Sequence, residues 1–178
     1  YRKFPVSAEK LPDYLRMVDA NWLLLVDGYN IIFAWEGLKK LASENLDAAR
    51  HILMDILANY RGYTKCELVL VFDGYKVKGN SGEKFDYHEI HVAYTKENET
   101  GDMYIEKLVQ DIGKNYNVKV ATSDNLIQVA ALRSGVLRMS ANELREEVEF
   151  INKQIQSTLE TYGRKSFYRP FDNINKVL

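Results

Sequence analysis

Apolar residues along this chain recur in two patterns, one typical of buried β-strands and one typical of amphipathic helices. Strand-type runs rich in valine and leucine lie at 22–26, 67–72 and 118–122. Runs of this kind are typical of strands that are covered on both faces of a sheet. The run 88–94 alternates apolar and polar residues, which predicts a strand near an edge or covered on one face. A last short strand is predicted at 136–139.

Between these runs, apolar residues recur three and four positions apart, which predicts helices with one buried face. The predicted helices cover residues 46–60, 100–115, 125–133 and 140–159. The last of them opens with Ser140 and Glu143, the spacing of a capping box in which each side chain accepts from the backbone N–H of the other residue. Strands that alternate with helices predict an α/β fold, with a central, mostly parallel sheet flanked by helices in three layers.

The length and composition indicate one domain with an extension at each end. A chain of 178 residues with 46% hydrophobic residues can bury one core. We predict a linker or N-terminal extension at 1–20, a domain at 21–162 and a C-terminal tail at 163–178. Because the chain begins at Tyr1 rather than at Met, we expect it to be a fragment or a processed chain.

Charge and cysteine content limit the partners and the compartment. The 24 Lys and Arg residues nearly balance the 25 Asp and Glu residues, whereas proteins that bind nucleic acid unaided tend to be basic. Any RNA contact is therefore expected from a local patch or through a partner already bound to RNA. Cys66 is the single cysteine, which favours a reducing compartment such as the cytoplasm. No apolar stretch approaches the ~20 residues that a membrane span needs, so we expect no membrane partner.

Acidic residues stand at the ends of three predicted strands and at the start of one predicted helix. Asp27, Asp73 and Asp124 each follow a strand, and Asp102 opens a helix. Ligand sites of parallel sheets lie off the carboxyl ends of the strands, so we expect these carboxylates within ~4–8 Å of one another. Carboxylates that crowd together repel unless they hold a hard cation such as Mg²⁺. This pattern favours metal-assisted attack of water on a phosphodiester bond.

Each acid also has a structural explanation when it is considered alone. Asp124 could be a helix N-cap, Asp27 a turn residue, and Asp102 a favourable charge at the positive end of a helix. The arrangement of all four at one edge weakens these explanations, because serine or threonine would cap as well without neutralising a cation. Asn30 lies close to Asp27 in sequence, and its amide could hold a water or a phosphate oxygen, although a turn or cap role is equally open.

Residues near these acids could contact RNA. The segment 74–84 contains three lysines, an aromatic residue and glycines, and such a loop could attract a phosphate backbone and stack a base. A simply solvated loop is the alternative explanation. The predicted RNA-binding residues are Tyr75, Lys76, Lys78, Lys84, Thr122 and Ser123, of which the last two could instead orient the acids by hydrogen bonds.

Four segments of the chain together resemble the NYN domain in its YacP-like branch, a relative of PIN-domain nucleases. These segments are 24–30, 71–73, 94–102 and 121–124. The resemblance implies a three-layer PIN-like fold and endoribonuclease activity on mRNA in a ribosome-associated context. It maps metal-binding acids to Asp27, Asp73, Asp102 and Asp124, with Asn30 as an accessory catalytic residue and Mg²⁺ or Mn²⁺ as the cofactor.

Further details of the resemblance concern the parent protein and the metal site. The stretch 31–35 resembles copies of this domain fused to the C-terminus of TetM-like translation GTPases, so the chain is expected to be part of such a protein. Gly74 and Gly101 stand where the family is expected to have alanine, and greater backbone mobility there would loosen metal binding.

Two functions therefore remain open at this point. One is a metal-dependent endoribonuclease that leaves 5′-phosphate and 3′-hydroxyl ends. The other is a catalytically weak ribosome- or RNA-binding module, with contacts made by the long C-terminal helix and by Arg164, Lys165 and Arg169. A haloacid dehalogenase-type phosphatase would need a DxD motif, and the sequence has Asp27-Gly28-Tyr29 instead.

Overall fold

The computed structural model describes residues 21–74, 81–123, 127 and 135–161. The predicted N-terminal extension, the predicted C-terminal tail and all but Ile127 of the predicted helix 125–133 lie outside these residues. The domain boundaries therefore stay predictions.

Six strands form one mixed sheet. They are β1 (Trp22–Asp27), β2 (Glu67–Phe72), β3 (Glu83–Tyr87), β4 (Ile90–Tyr94), β5 (Asn117–Ala121) and β6 (Leu137–Met139). Their order across the sheet is β3-β4-β2-β1-β5-β6. Each neighbouring pair is parallel apart from β3 and β4, which are antiparallel. The predicted central, mostly parallel sheet is confirmed.

The described helices are α1 (Gly28–Ala34), α2 (Glu36–Glu44), α3 (Leu46–Thr64), α4 (Gly101–Ile112) and α5 (Ala141–Thr161). The sequence predicted α3, α4 and α5 but not the two short helices α1 and α2. Short helices are marginal alone and form where tertiary packing buries one face. In α1 that face is Ile31 and Ile32, both fully buried. Across the part of the chain that the structure describes, no helix has the length and apolarity that crossing a membrane requires.

Two hydrophobic layers cover the two faces of the sheet, as the three-layer prediction requires. Successive residues of β1 point to opposite faces. Leu24 and Val26 belong to the larger core, which also contains buried residues of α1, α3 and α5. Leu23 and Leu25 belong to the smaller core, which contains buried residues of α4. The continuous apolar run of β1 is therefore explained by burial on both faces.

The chain order places one crevice at the centre of the sheet. From β1 the chain moves to β2 and then to β4, towards one edge of the sheet. After β4, α4 carries the chain back past β2 and β1 to β5, on the other side of β1. Because such crossovers are right-handed, opposite directions of travel put the helices on opposite faces. The connections from β1 and to β5 therefore lie on opposite faces of the sheet, which leaves a crevice between these two strands. In sheets of this kind the ligand binds in that crevice, off the carboxyl ends of the strands.

The hairpin of β3 and β4 differs from the sequence prediction. The predicted strand 88–94 begins only at Ile90, because His88 has a left-handed backbone (φ of 54°) and lies in the turn of the hairpin. Residues 83–87 form β3, although the sequence predicts a loop at 74–84 and no strand before 88. This edge strand alternates charged residues with Phe85 and Tyr87, and charged side chains are common on edge strands because they hinder pairing with other chains.

The predicted capping box at the start of α5 is confirmed. The Glu143 N–H donates to Ser140 Oγ at 3.1 Å, and the Ser140 N–H donates to Glu143 Oε1 at 3.2 Å. These bonds satisfy backbone donors that the first turn of a helix leaves without partners.

A buried carboxyl group lies between α5 and the sheet, remote in sequence from the predicted acids. Glu147 is 5% exposed, and the Tyr60 hydroxyl donates to its Oε1 at 3.2 Å. Burial raises the pKa of Glu147 to about 8, although the nearby Lys119 charge opposes this shift. Burial therefore favours the uncharged, protonated form of the Glu147 carboxyl in the folded protein.

This raised pKa makes the stability of the fold depend on pH. Because the folded state holds a proton on Glu147 up to about pH 8, and an ordinary glutamate releases it near 4.5, the free energy of unfolding should fall as pH rises between these values. The expected slope is about 1 kcal/mol per pH unit at its steepest. Glu147→Gln should flatten this slope, while Glu146→Gln, on the exposed side of the same helix, should not. Urea unfolding across this pH range measures the slope, and equal slopes in parent and Glu147→Gln would contradict the assignment.

Candidate active site

Three of the predicted acids lie at the carboxyl edge of the sheet. Asp27 is the last residue of β1, Asp73 directly follows β2, and Asp102 is the second residue of α4. Asp27 pairs in register with Val71 of β2, so the carboxyl ends of these two strands lie side by side. Asp27 is 8% exposed, whereas Asp73 is open to solvent.

Gly101, the first residue of α4, lies where these acids meet. A Cβ atom built on Gly101 would lie 3.7 Å from Asp73 Cβ and 4.0 Å from Asp27 Oδ1. The Gly101 N–H donates a hydrogen bond to Asp73 Oδ2 at 3.2 Å, and Asp102 is the next residue along the chain. Asp27 and Asp73 therefore approach one point, beside which α4 carries Asp102.

Asp27 and Asp102 are not side-chain caps of the two helices that begin at this edge. Asp27 occupies the N-cap position of α1, but its side chain makes no capping hydrogen bond. The N-cap of α4 is Thr100, whose hydroxyl accepts from the Met103 N–H at 3.1 Å. A capping role therefore does not explain Asp27 or Asp102, although Asp102 still gains from the positive end of the helix.

A threonine at the end of β5 orients the Asp27 carboxylate. The Thr122 hydroxyl donates to Asp27 Oδ2 at 3.0 Å, and Thr122 is fully buried. Its own N–H donates to the Met139 carbonyl at 3.0 Å, which ties the end of β5 to β6. Thr122 thus has the orienting role considered from the sequence, and its contact with RNA stays a prediction.

Asn30 connects α1 to the segment that leads to Asp124. Its side-chain Oδ1 accepts from the Ser123 N–H at 3.1 Å. This bond holds the backbone that immediately precedes Asp124 against the helix that follows Asp27. Ser123 is exposed, so its side chain remains accessible to a ligand at this edge.

One residue of this edge was missed in the sequence, although it follows the same pattern as Thr122. Thr95 follows β4 directly and is 1% exposed. Its hydroxyl accepts from the Gly74 N–H at 2.8 Å, and its own N–H donates to the Phe72 carbonyl at 3.0 Å. The backbone N–H groups of Gly74 and Gly101 both donate hydrogen bonds, and the greater mobility expected at these glycines stays a prediction.

Several predicted site residues lie outside the described part of the chain. They are Asp124, Tyr75, Lys76 and Lys78. Within the described ranges, no group of three or more His, Cys, Asp or Glu side chains is close enough to hold a metal ion. The convergence of all four acids and their role in metal binding therefore stay predictions.

Lys84 is described, and it lies on β3 rather than in a loop. Its ammonium lies 5.2 Å from the centroid of the Tyr104 ring, a distance at which the cation is attracted to the face of the ring. Tyr104 belongs to α4, so Lys84 is on the same side of the sheet as the helix that carries Asp102. Its contact with RNA stays a prediction.

A positive charge lies behind α1. Arg50 of α3 donates from Nη1 to the Tyr29 hydroxyl at 3.0 Å and forms an ion pair with Asp47 at 3.1 Å. Burial lowers the pKa of Arg50, but the hydrogen bonds with Tyr29 and Asp47 outweigh burial and leave that pKa raised. Arg50 is therefore a permanent cation next to the helix that begins at the acids.

Comparison with known proteins agrees with this arrangement. A sequence model of the YacP-like NYN domain family matches residues 24–175. The protein YacP of Bacillus subtilis (strain 168) is 44% identical over 135 residues, which cover 75% of this chain and 79% of YacP.

Two crystal structures of Rae1 (YacP) from Bacillus subtilis resemble the whole fold. A structure of a point mutant matches with a TM-score of 0.70 and 37% identity, covering 88% of this chain and 91% of that chain. A second structure matches with a TM-score of 0.69 and 41% identity, covering 81% and 83%. The predicted PIN-like α/β fold is therefore confirmed.

Proposed function

The chain belongs to the YacP-like NYN domain family, and from this premise we propose that it is a metal-dependent endoribonuclease that cleaves mRNA in a ribosome-associated context. Membership in the PIN-like nuclease superfamily suggests nuclease activity with RNA as the substrate class. That superfamily generally uses divalent metal ions. We propose in addition that the activity depends on a metal ion, that it acts on mRNA at the ribosome, and that the protein is located in the cytoplasm.

The observation that carries the proposal is the approach of two aspartates from neighbouring strands to the first residue of α4. Asp27 and Asp73 both lie within 4.0 Å of a Cβ atom built on Gly101. Burying an aspartate as deeply as Asp27 costs free energy unless its charge is compensated. The Thr122 hydroxyl donates to this carboxylate, and a bound cation would also stabilise its charge.

The chemistry of these donors fits a hard divalent cation. Carboxylate oxygens are preferred by Mg²⁺, which is commonly held by one or two carboxylates together with waters and substrate phosphates. Asp27 and Asp73 would hold it, with Asp102 and Asp124 as the further predicted ligands. The bound ion would lower the pKa of a water molecule and neutralise charge on the scissile phosphate.

The residues of the chain position the reacting groups. The Thr122 hydroxyl and the Gly101 N–H each hold one carboxylate oxygen, of Asp27 and of Asp73 respectively. Fixed donors of this kind keep carboxylates in a productive orientation. The positive end of α4 stabilises negative charge nearby, which reduces the repulsion between Asp73, Asp102 and an approaching phosphate.

The near-neutral charge of the chain supports dependence on a partner. With a net charge of −1, the chain has little general attraction for a phosphate backbone. A ribosome that already holds mRNA would bring the substrate to the acids. The expected attachment to a translation GTPase stays a prediction.

The function is tested with the purified full chain, translating ribosomes and an end-labelled mRNA. Cuts at defined positions that leave 5′-phosphate and 3′-hydroxyl ends are the expected result. Naked mRNA should be cut more slowly than mRNA on ribosomes. An mRNA that stays intact under both conditions would contradict the proposal.

Metal binding is expected in the absence of any substrate. Mn²⁺ should raise the melting temperature of the parent chain in a saturable way, because an ion that binds the folded state stabilises it. Asp73→Asn should weaken the apparent affinity by about tenfold or more, since it removes a charged ligand. The matched control is Asp111→Asn, which changes an exposed aspartate at the other end of α4. Equal Mn²⁺ responses in all three proteins would contradict the metal site.

A further inference from the structure

Five aromatic side chains form a continuous row that runs from α1 across the sheet to β3. The ring centroids of Phe33 and Tyr29 are 6.4 Å apart, and those of Tyr29 and Phe72 are 5.1 Å apart. The row continues from Phe72 to Tyr94 at 5.2 Å and from Tyr94 to Phe85 at 6.2 Å. These separations are typical of favourable contacts between aromatic rings. We name these five residues the aromatic row.

The aromatic row reaches the carboxyl edge of the sheet, where the acids lie. Tyr29 lies two residues after Asp27, and Phe72 immediately precedes Asp73. A Cβ atom on Gly28 would lie 2.5 Å from the Phe72 ring, so the backbone that follows Asp27 packs against the row. The row lies on the larger-core face of the sheet, whereas Asp27 and Asp73 approach α4 on the other face, so the row reaches the carboxyl edge from the face opposite to the acids.

The row ends at a ring that faces solvent. Phe33 is 53% exposed, whereas Phe72, at the centre of the row, is fully buried. The described residues include two other large hydrophobic side chains of similar exposure, Met103 at 54% and Leu137 at 53%. Met103 follows Asp102, Phe33 belongs to the helix that begins after Asp27, and Leu137 lies on the edge strand β6.

Tyr29, which supports the exposed ring, is held in place. Its hydroxyl accepts from Arg50 at 3.0 Å, and the Arg50 guanidinium lies 6.0 Å from the centroid of the Tyr94 ring. The ion pair of Arg50 with Asp47 at 3.1 Å fixes the arginine in turn. A surface ring that rests on a fixed and partly buried ring loses little conformational freedom when a ligand stacks on it.

We propose that Phe33, supported by Tyr29, is a stacking platform for one base of the single-stranded RNA that reaches the acids at the carboxyl edge of the sheet. This inference rests on the proposed ribonuclease function. Aromatic rings bind bases through their faces, and this binding tolerates any base sequence. With a net charge of −1, the chain has little electrostatic affinity for RNA, so stacking supplies the positioning that a basic groove supplies in other RNA-binding proteins.

The test measures the binding of a short, fluorescently labelled single-stranded RNA to the full chain by anisotropy, with EDTA present so that no cleavage occurs. Phe33→Ala should weaken binding by about fivefold or more, the range expected for loss of one stacked base. Phe33→Tyr keeps an aromatic face and should bind like the parent, whereas Phe33→Leu keeps apolar volume but should bind like Phe33→Ala. The matched control is Leu137→Ala, which removes an equally exposed apolar side chain on β6.

Several results would overturn the platform. One is saturable RNA binding by Phe33→Ala within about twofold of the parent; another is an equal loss in Leu137→Ala. Absence of saturable binding by the parent would also overturn it. If Phe33→Ala loses activity only on ribosomes while its RNA binding is unchanged, Phe33 contacts a ribosomal protein and the inference is wrong.

The platform and the proposed function can fail separately. Normal RNA binding by Phe33→Ala, combined with cleavage that Asp27→Asn abolishes, would leave the ribonuclease and remove the platform. Weakened RNA binding by Phe33→Ala, combined with mRNA that is never cut, would leave an RNA-binding site without the nuclease.

Discussion

Asp27→Asn is expected to lower the rate of mRNA cleavage on translating ribosomes by at least about 100-fold. Asparagine keeps the shape of the side chain and can still accept the hydrogen bond from Thr122, which is 3.0 Å away in the parent. It removes the charge that a divalent cation needs. Because Asp27 is 8% exposed, the substitution also removes a buried charge, so the variant should be at least as stable as the parent. Cleavage is measured as the initial rate of product formation from end-labelled mRNA at constant Mg²⁺.

The matched control for this prediction is Asp111→Asn, which alters an exposed carboxylate of α4 and should cleave like the parent. Ribosome association, measured by co-sedimentation, should be unchanged in both variants. If Asp27→Asn cleaves as fast as the parent, the activity does not belong to this chain. The ribosome- or RNA-binding module would then be the better description of the protein.

Gly28→Ala is expected to destabilise the domain by about 3 kcal/mol and to lower cleavage as well. The added Cβ atom would lie 2.5 Å from the Phe72 ring and 3.0 Å from the Val71 carbonyl oxygen. Phe72 is fully buried and lies between two other rings, so it cannot turn aside. The backbone of α1 must therefore move, and Asp27 moves with it. Urea unfolding gives the free energy of unfolding, and the ribosome assay gives the rate.

Gly62→Ala is the matched control, because a Cβ atom at this position of α3 meets nothing within 4 Å. Alanine has a higher helix propensity than glycine, so this variant should be more stable by about 0.5–1 kcal/mol. Its cleavage rate should equal that of the parent. If Gly28→Ala is as stable and as active as the parent, the close packing between α1 and β2 does not constrain the site.

The parts of the fold that followed from the sequence are those that local pattern specifies. The runs that became β1, β2 and β5 are apolar because both faces of the sheet are covered, and the helix that became α5 opens with its own capping box. The helix α1 was missed because its seven residues depend on burial of Ile31 and Ile32. The strand β3 was missed because an edge strand with alternating charges has no strong local signal.

The site divides in a similar way. An aspartate after a strand is visible in the sequence, and the rule for parallel sheets places Asp27 and Asp73 at one edge. The sequence does not show that Gly101 lies between them, because this depends on the position of α4 against the sheet. The sequence offered Thr122 as a residue that could orient an acid, but it did not single out Thr95, since a threonine after a strand is common and its partner is remote in the chain.

The sequence by itself therefore determined the α/β class, the parallel strands and the edge at which Asp27 and Asp73 lie, since these follow from the periodicity of apolar residues and from the handedness of crossovers. Only the tertiary structure decided which groups touch. Contacts such as Arg50 with Tyr29 and Thr122 with Asp27 join residues 21 and 95 positions apart. The exposure of Phe33 was also decided there, because whether an apolar side chain of a helix is buried depends on what packs against it.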